Sequence, residues 1–406
     1  MSRGVGDEPL LSVVMPTHQR ARYAVHAVRS VLAIASPRLE LVVHDTSEDA
    51  SLAEPMRELA DGRLRYVHCR EPLSMTENHN RAMALARGRY VCLIGDDDSI
   101  LPEALDAAEW ADAHGTAAIA PEVVANYAWP DFRSRAFGAG HAGRLYLKRR
   151  WGAVARRDAR TDLIAALGRA ALGTEGLPKV YHGLVARAVL ERLRERAGAV
   201  FHGTSPDVSG AVGVAATIDR YLWVDHPLTL PGASAGSNTG RSATGTHVGR
   251  VEEDPHTRRF RDLAWPEVLP RFVSVETVWA HAVHATLAAL EPALLPRYRM
   301  TRLYATCLVS SPAWREPIAA AARCWAQREG IAPAALWARV GVEAAAEAAR
   351  RAARLAHRAL RPTAAGGRLH ADRIDQVGGC LAALPALASR ARGGPPIARL
   401  LDTVAG

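Results

Sequence analysis

The stretch "RYVCLIGDDDSILPEAL", Arg89–Leu105, decides how the chain is read. Its first half is a short apolar run bounded by polar residues, the pattern of a strand covered on both faces, and its second half is a helix opened by Pro102. Between them stand one glycine and three consecutive carboxylates, Asp96, Asp97 and Asp98. Held side by side in a partly dehydrated crevice, like charges raise one another's pKa values and repel unless something positive sits among them. A bound cation is therefore the first expectation. Helix capping competes with it, because acids near a helix start interact favourably with the helix dipole, yet capping does not account for a whole triplet behind an apolar strand.

The same alternation extends on the N-terminal side. "LLSVVM", "LELVVH" and "LRYVH" read as strands, and "ARYAVHAVRSVLAIA" places Ala24, Ala27, Val28 and Val31 on one helical face. "DASLAEPMRELADG" and "TENHNRAMALARG" read as helices that end at Gly62 and Gly88. Strands separated by helices of this length predict an α/β fold, a mostly parallel sheet with helices on both faces. Ligands of such sheets bind outside the carboxyl ends of the strands. "PTHQR" (Pro16–Arg20), Asp45 and the acidic triplet all fall at such ends, so residues scattered in sequence are expected to meet in one crevice.

Further along, Ala128–Leu172 reads as a loop-rich insertion or a short hairpin. "KVYHGLV" reads as a strand, "ARAVLERLRERAG" as a helix, and "SPDVSGAVGVAA" as a helix with Ser205 as cap and Pro206 in its first turn. "RYLWVDHPLTLPG" reads as strands near a sheet edge. The Gly-, Ser- and Thr-rich stretch that follows contains a linker or mobile loop, 236–250. From 251 to 406 the chain is Ala-rich, helical and broken by Pro and Gly.

With 406 residues and an apolar share of 49%, the chain suits two or three globular domains. Lysine and arginine exceed acids by 51 to 42, a formal net charge of +9 that suits anionic ligands. The five cysteines are widely spaced without a CxxC pair, which predicts neither a disulfide framework nor a structural zinc site and favours a reducing cytoplasm. No segment has the roughly 20 apolar residues that span a bilayer, and no secretory leader is expected at the N-terminus. "RRAARLAHRALRP", Arg350–Pro362, is basic with an Ala and Leu face, which fits either peripheral contact with an anionic membrane or the solvated side of a bundle helix. Aromatic and basic residues do not interleave as in a single-strand binder, so nucleic acid is not an expected partner. A glycine-rich phosphate loop of the GxxxxGK type is also missing.

Taken together, "LSVVMPTHQRARYAVHAVRSVL", "LVVHDTSED" and "NRAMALARGRYVCLIGDDDSILPEAL" closely resemble the nucleotide-binding half of the family 2 glycosyltransferases, which have the GT-A fold. The resemblance implies a GT-A domain over 9–235, divided into a nucleotide-binding half (9–113) and an acceptor-side half (114–235), followed by a helical C-terminal domain from 251. It implies a nucleoside-diphosphate sugar donor (UDP, dTDP or GDP), a divalent ion, Mn²⁺ or Mg²⁺, bridging its diphosphate, and inversion at the anomeric carbon. The acceptor, a natural-product or cell-envelope intermediate, is not specified.

By the same resemblance Pro16, Thr17 and His18 match the loop that touches the base, with Arg20 in the same loop, and Asp45 matches an acid that hydrogen-bonds the nucleobase. Its local alternative is an Asx turn. Gly95 stands where the family has the first acid of its metal motif. Asp97 matches the direct metal ligand, and Asp96, on the nucleotide-sugar side, and Asp98, on the metal side, are contacts with the sugar, ribose or metal-bound water. Asn80 and Gly88 match packing positions. The family places its catalytic base downstream of the metal motif at a loop-to-helix start, which selects Asp207; stabilising the helix N-terminus is the alternative. His182, His202 and His226 are candidates to complete a metal shell, and Arg241 and Arg250 to screen the departing diphosphate. The helical region is expected to supply an acceptor-side wall or a homodimer contact. A nucleotidyltransferase, or a non-catalytic basic protein binding nucleic acid or a membrane surface, is the competing function.

Overall fold

A computed structural model describes residues 8–260, 262–360 and 363–404. Strand β1 (Leu11–Thr17) leads to helix α1 (Ala21–Leu32), β2 (Leu39–Asp45) to α2 (Ala53–Glu58), and β3 (Leu64–His68) to α3 (Met75–Met83). Then β4 (Tyr90–Leu93) runs through the short β5 (Ser99–Ile100) into α4 (Glu103–Ala113). Every residue of β1 and β2 is buried, because helices cover both sheet faces and leave no solvated side to alternate with. Ser74 and Glu77 close a capping box at the start of α3, which fixes where that helix begins beside the strand ends.

The chain continues through β6 (Ala118–Pro121), β7 (Ala125–Ala128), β8 (Arg144–Leu147), β9 (Ala153–Asp158), α5 (Ala159–Gly168), β10 (Leu184–Ala186), α6 (Arg187–Ala197) and α7 (Pro206–Ala215). It returns through β11 (Arg220–Asp225), β12 (Thr229–Leu230), β13 (Gly232–Ala233) and α8 (Asn238–Thr244). Eight strands form the main sheet in the order β3-β2-β1-β4-β10-β6-β11-β9. β1 pairs in parallel with β2 on one side and β4 on the other, so the strand order reverses beside β1. That reversal opens a crevice at the carboxyl ends of β1 and β4.

Several expectations are corrected here. The stretch 128–172 carries β8, β9 and α5 rather than a loop or one hairpin. β11 does lie near the sheet edge as expected, with only β9 outside it. The expected linker 236–250 holds α8, capped by Ser237, and is tied down by Arg241, whose Nη2 lies 2.6 Å from Asp254. Glycine and serine there serve a cap and a tight turn rather than freedom.

The helical region consists of α9 (Val275–Leu290), α10 (Met300–Ser310), α11 (Arg315–Arg328) and α12 (Pro333–Ala359), around a core that includes Leu287, Leu303, Tyr304 and Ile318. It does not run on to the C-terminus as expected. β14 (Leu369–Ala371) pairs antiparallel with β8, and α13 (Val377–Ala388) and α14 (Ile397–Asp402) lie on α1 and α4. Val377, Cys380, Leu387 and Leu401 thereby join the core under the main sheet. The tail thus covers the outer faces of α1 and α4. The basic run lies in the last turns of α12, where Arg350 and Arg354 gather around Glu347; Arg361 and Pro362 lie outside the described residues. No described helix is long and apolar enough to cross a membrane.

Candidate active site

At the carboxyl end of β1, the Thr17 hydroxyl donates to Asp96 Oδ2 (2.7 Å). One turn into the next loop, Arg20 supplies the positive charge that the acidic triplet requires. Its Nε donates to Asp96 Oδ1 (2.5 Å) and its Nη2 lies 2.9 Å from Asp97 Oδ2. Ser234, just after β13, donates to the same Asp97 oxygen (2.5 Å) and accepts from Arg20 Nη2 (2.7 Å). Arg20 Nη1 is buried and has no hydrogen-bond partner among the described residues.

Asp98 turns the other way. Its Oδ1 accepts from Gly232 N (2.6 Å), and its Oδ2 accepts from Gly95 N (2.6 Å) and the Tyr181 hydroxyl (3.1 Å). A Cβ at position 95 would stand 2.8 Å from Asp98 Oδ2, so a side chain there would require the Asp98 carboxylate to move. His182 Nε2 lies 3.0 Å from Asp98 Oδ2, but neither ring nitrogen completes a well-aligned hydrogen bond among the described residues. The His182 backbone is left-handed (φ 58°), a conformation disfavoured for a side chain of this size.

These contacts divide three chemically identical groups. Burial pushes the Asp97 carboxyl up to about 7, with the Asp98 charge adding to the effect and Arg20 only partly opposing it. Burial also raises Asp96 despite Arg20 and Thr17. Asp98 is held below the usual carboxylate range: burial alone would raise it, and His182 with two backbone N–H groups more than offsets that. One guanidinium thus serves two of the three acids, and Asp97 is the member left short of positive charge.

Replacing Arg20 with glutamine is expected to destabilise the protein by about 3 kcal/mol, because it leaves two buried carboxylates without their cation. Urea unfolding at neutral pH measures this. A midpoint equal to wild type would mean that the pair is not buried in solution.

The other predicted residues line the same crevice to different depths. The His18 ring Nδ1 is 2.8 Å from the Thr46 carbonyl, and burial lowers its pKa. Pro16 is the penultimate residue of β1. Asp45 is fully buried, with Oδ1 accepting from Ser47 N (2.8 Å) in an Asx turn and Oδ2 from the Tyr66 hydroxyl (3.0 Å). Asn80 does pack structurally, exchanging two hydrogen bonds with the backbone of Phe201.

Asp207 starts α7 and accepts from the Ser205 hydroxyl. Its charge acts on Tyr181, which donates to Asp98, and on Lys179. Of the three candidate histidines only His182 joins the acids; His202 Nε2 faces the Ala199 carbonyl, and His226 is buried near Pro227 and Pro395. Arg250 pairs with Glu253 and Arg241 with Asp254.

Four contributors escaped the sequence reading: Tyr181, Lys179, Ser234 and Arg259. Burial lowers the Lys179 pKa although Glu122, Glu175 and Asp207 oppose this. Arg259 Nη1 lies 3.4 Å from the His18 ring, and its Nη2 is 3.2 Å from Glu48. None of the four belongs to a local motif; only the pairing of β13 beside β7 and the return of segment 251–260 bring Ser234 and Arg259 to the crevice.

Residues 12–158 match the family model described as Glycosyl transferase family 2. The chain is 32% identical over 101 residues to the "Putative colanic acid biosynthesis glycosyl transferase WcaA" of Escherichia coli K12, covering 24% of this chain and 36% of that protein. It is 29% identical over 93 residues to the "Putative teichuronic acid biosynthesis glycosyltransferase TuaG" of Bacillus subtilis 168, covering 22% of this chain and 37% of that one. The alignments thus span little more than a third of these relatives' length. Crystal structures of S. aureus TarS 1-349 in complex with UDP and with UDP-GlcNAc align with TM-scores of 0.40 and 0.44 at 18% and 15% identity. They cover 56% and 80% of this chain and 61% and 93% of theirs, a likeness too loose to carry an assignment. The family match encloses Thr17, Arg20 and the whole acidic triplet, whereas Asp207, Ser234 and Arg259 lie beyond it. The match to the glycosyl transferase family 2 model thus covers about a third of the chain, the stretch that carries β1, Arg20 and the acidic triplet of this crevice.

Proposed function

We propose that the protein is an inverting glycosyltransferase that moves a sugar from a nucleoside-diphosphate donor to a hydroxyl-bearing acceptor. The observation that carries this reading is the buried, undercompensated acidic triplet beside Arg20 at the strand-order reversal, inside the stretch that matches the family. Arg20 Nη1, buried and without a partner, is a donor suited to a diphosphate oxygen. His18 and Arg259 flank the same groove and suit the base and its phosphates.

Mn²⁺ or Mg²⁺ fits this pocket in a substrate-assisted way. Among the described residues no three His, Cys, Asp or Glu side chains converge into a preformed cage. Asp97 Oδ1 takes no hydrogen bond among them, and such ions commonly bind through one or two carboxylates together with substrate phosphates. Asp97 would hold the ion, while Asp98, both of whose oxygens are engaged, would orient the loop around it. When bound, the ion supplies positive charge that stabilises the leaving diphosphate.

The chain's own residues do the rest. Arg20 and Thr17 fix Asp96 toward the donor. Asp207, held by Ser205 through one oxygen, takes the acceptor proton with the other as the acceptor oxygen attacks the anomeric carbon and the bond to the diphosphate breaks. Incubation with UDP-, dTDP- and GDP-sugars, with and without Mn²⁺, tests the reading. Release of nucleoside diphosphate is expected for at least one donor. Release of pyrophosphate instead would indicate nucleotidyl transfer, and no binding of any donor would remove the proposal.

A further inference from the structure

Helix α12 is turned inside out relative to an ordinary surface helix. Amphipathic helices of soluble proteins bury an apolar stripe and present their charges to water. Here the side packed on α10 holds Leu336 and Val340 together with both acids of the helix, Glu343 and Glu347. At 3.6 residues per turn, an arc about 200° wide on the other side carries no charged residue from Ala334 to Leu360. Except for Ala344 and Ala346 at its edges, every position of that arc is exposed.

The arc is not merely a run of alanines. Trp337, Val342 (72% exposed), Leu355 (65%) and Leu360 (82%) stand on it. The other large apolar side chains exposed among the described residues, Val123, Ile164 and Val248, stand singly in separate segments, as is normal for a protein surface. Four on one helix face are a patch that something covers. From Ala352 to Leu360 every residue is exposed, so the last turns of the helix stand clear of the bundle core.

Positive charge runs along both rims. Arg339, Arg350 and His357 follow one edge of the arc, and Arg351 and Arg358 follow the other. Arg350, Arg351 and Arg354 share the single carboxylate of Glu347. Arg358 stands over the Phe137 ring (5.6 Å), and neither it nor Arg339 pairs with an acid among the described residues. Each rim therefore keeps uncompensated charge. An uncharged face bearing an aromatic ring and leucines, rimmed by arginines, suits a helix lying in the plane of an anionic bilayer, its apolar side chains at the acyl boundary and its guanidinium groups at phosphate level. A second copy docked on this face would set arginine rims against each other, because the two acids of the helix, Glu343 and Glu347, are buried. Charge complementarity selects lipid.

We propose that the outer face of α12 docks on an anionic membrane surface, lying along it for about 40 Å without crossing it. The phosphates neutralise the rims while the bilayer covers the apolar arc. The basic run Arg350–Pro362 then acts as the flank of a membrane-facing helix rather than as the solvated side of a bundle.

The test is co-sedimentation of the full-length protein with vesicles of phosphatidylcholine alone and of phosphatidylcholine with about 30% phosphatidylglycerol. Binding to the anionic vesicles is expected to exceed binding to the neutral ones by at least about tenfold and to weaken as salt is raised. The double variant Val342→Glu, Leu355→Glu, which changes only exposed positions, is expected to lower it by at least about tenfold. Arg339→Gln combined with Arg358→Gln is expected to lower it by about fivefold for each arginine. Equal binding to both kinds of vesicle, binding that the double glutamate variant leaves unchanged, or no binding would overturn the proposal. A lipid-free dimer in sedimentation equilibrium that the glutamate variant makes monomeric, with no vesicle binding, would give the face to a second copy instead.

Discussion

Asp97→Asn is expected to reduce sugar transfer by about 10²–10³-fold while the metal-free protein melts no lower than wild type. The loss follows from the role of a fixed charge at a developing diphosphate, since removing one such stabilising group typically costs that much in turnover. The stability follows from the sign of the linkage. Asp97 binds its proton more tightly in the folded protein, with a pKa of about 7, than in the unfolded chain. Stability present below the unfolded carboxylate range is therefore lost as pH rises toward 7, and asparagine, which carries no charge, does not lose it. The variant should show its largest gain in melting temperature above pH 7 and little gain near pH 4. Calorimetry in EDTA over that range, beside turnover at saturating donor, measures both. Wild-type turnover in the variant would remove Asp97 from the mechanism. A lower melting temperature would mean that the carboxylate is structurally required.

For Asp207→Asn the expected pattern is the reverse partition of binding and chemistry. Donor affinity should stay near wild type, because the donor contacts proposed above are Arg20, Thr17 and His18, at the end of β1. Transfer from the bound state should fall by about 10²–10⁴-fold, the usual contribution of a positioned base. The amide preserves the size of the side chain and its acceptance from Ser205, but cannot take the proton. Single-turnover rates at saturating donor, with donor affinity titrated separately, distinguish the two effects. Weakened donor binding with normal transfer would assign Asp207 to the helix N-terminus rather than to the acceptor.

Much of the α/β half was legible because its rules are local. Short apolar runs and period-3.6 patterning located β1 to β4 and the helices between them, although α2 and α3 stop at Glu58 and Met83, short of the expected ends at Gly62 and Gly88. The same reasoning failed from 128 to 172 and from 236 to 250, where strands are short, polar and paired with distant partners. β9 is only partly buried and looks like a loop until β11 is seen beside it. The C-terminal tail misled for a related reason: its Ala- and Leu-rich helices carry no mark of which core they will join.

The sequence by itself determined that three acids follow a buried strand, that they need positive charge, and that the loops after β1 and β2 converge on them. Chain order and strand direction are enough for that, because consecutive βα units bring the carboxyl ends of neighbouring strands to one edge of the sheet. Only the tertiary structure decided which charge arrives and where it goes. It places Arg20 between Asp96 and Asp97, turns Asp98 toward Tyr181 and His182, and brings Ser234 from more than a hundred residues away. Electrostatic energy depends on distance and burial rather than on separation along the chain, so identical neighbouring residues acquire different proton affinities only once the surrounding elements have packed.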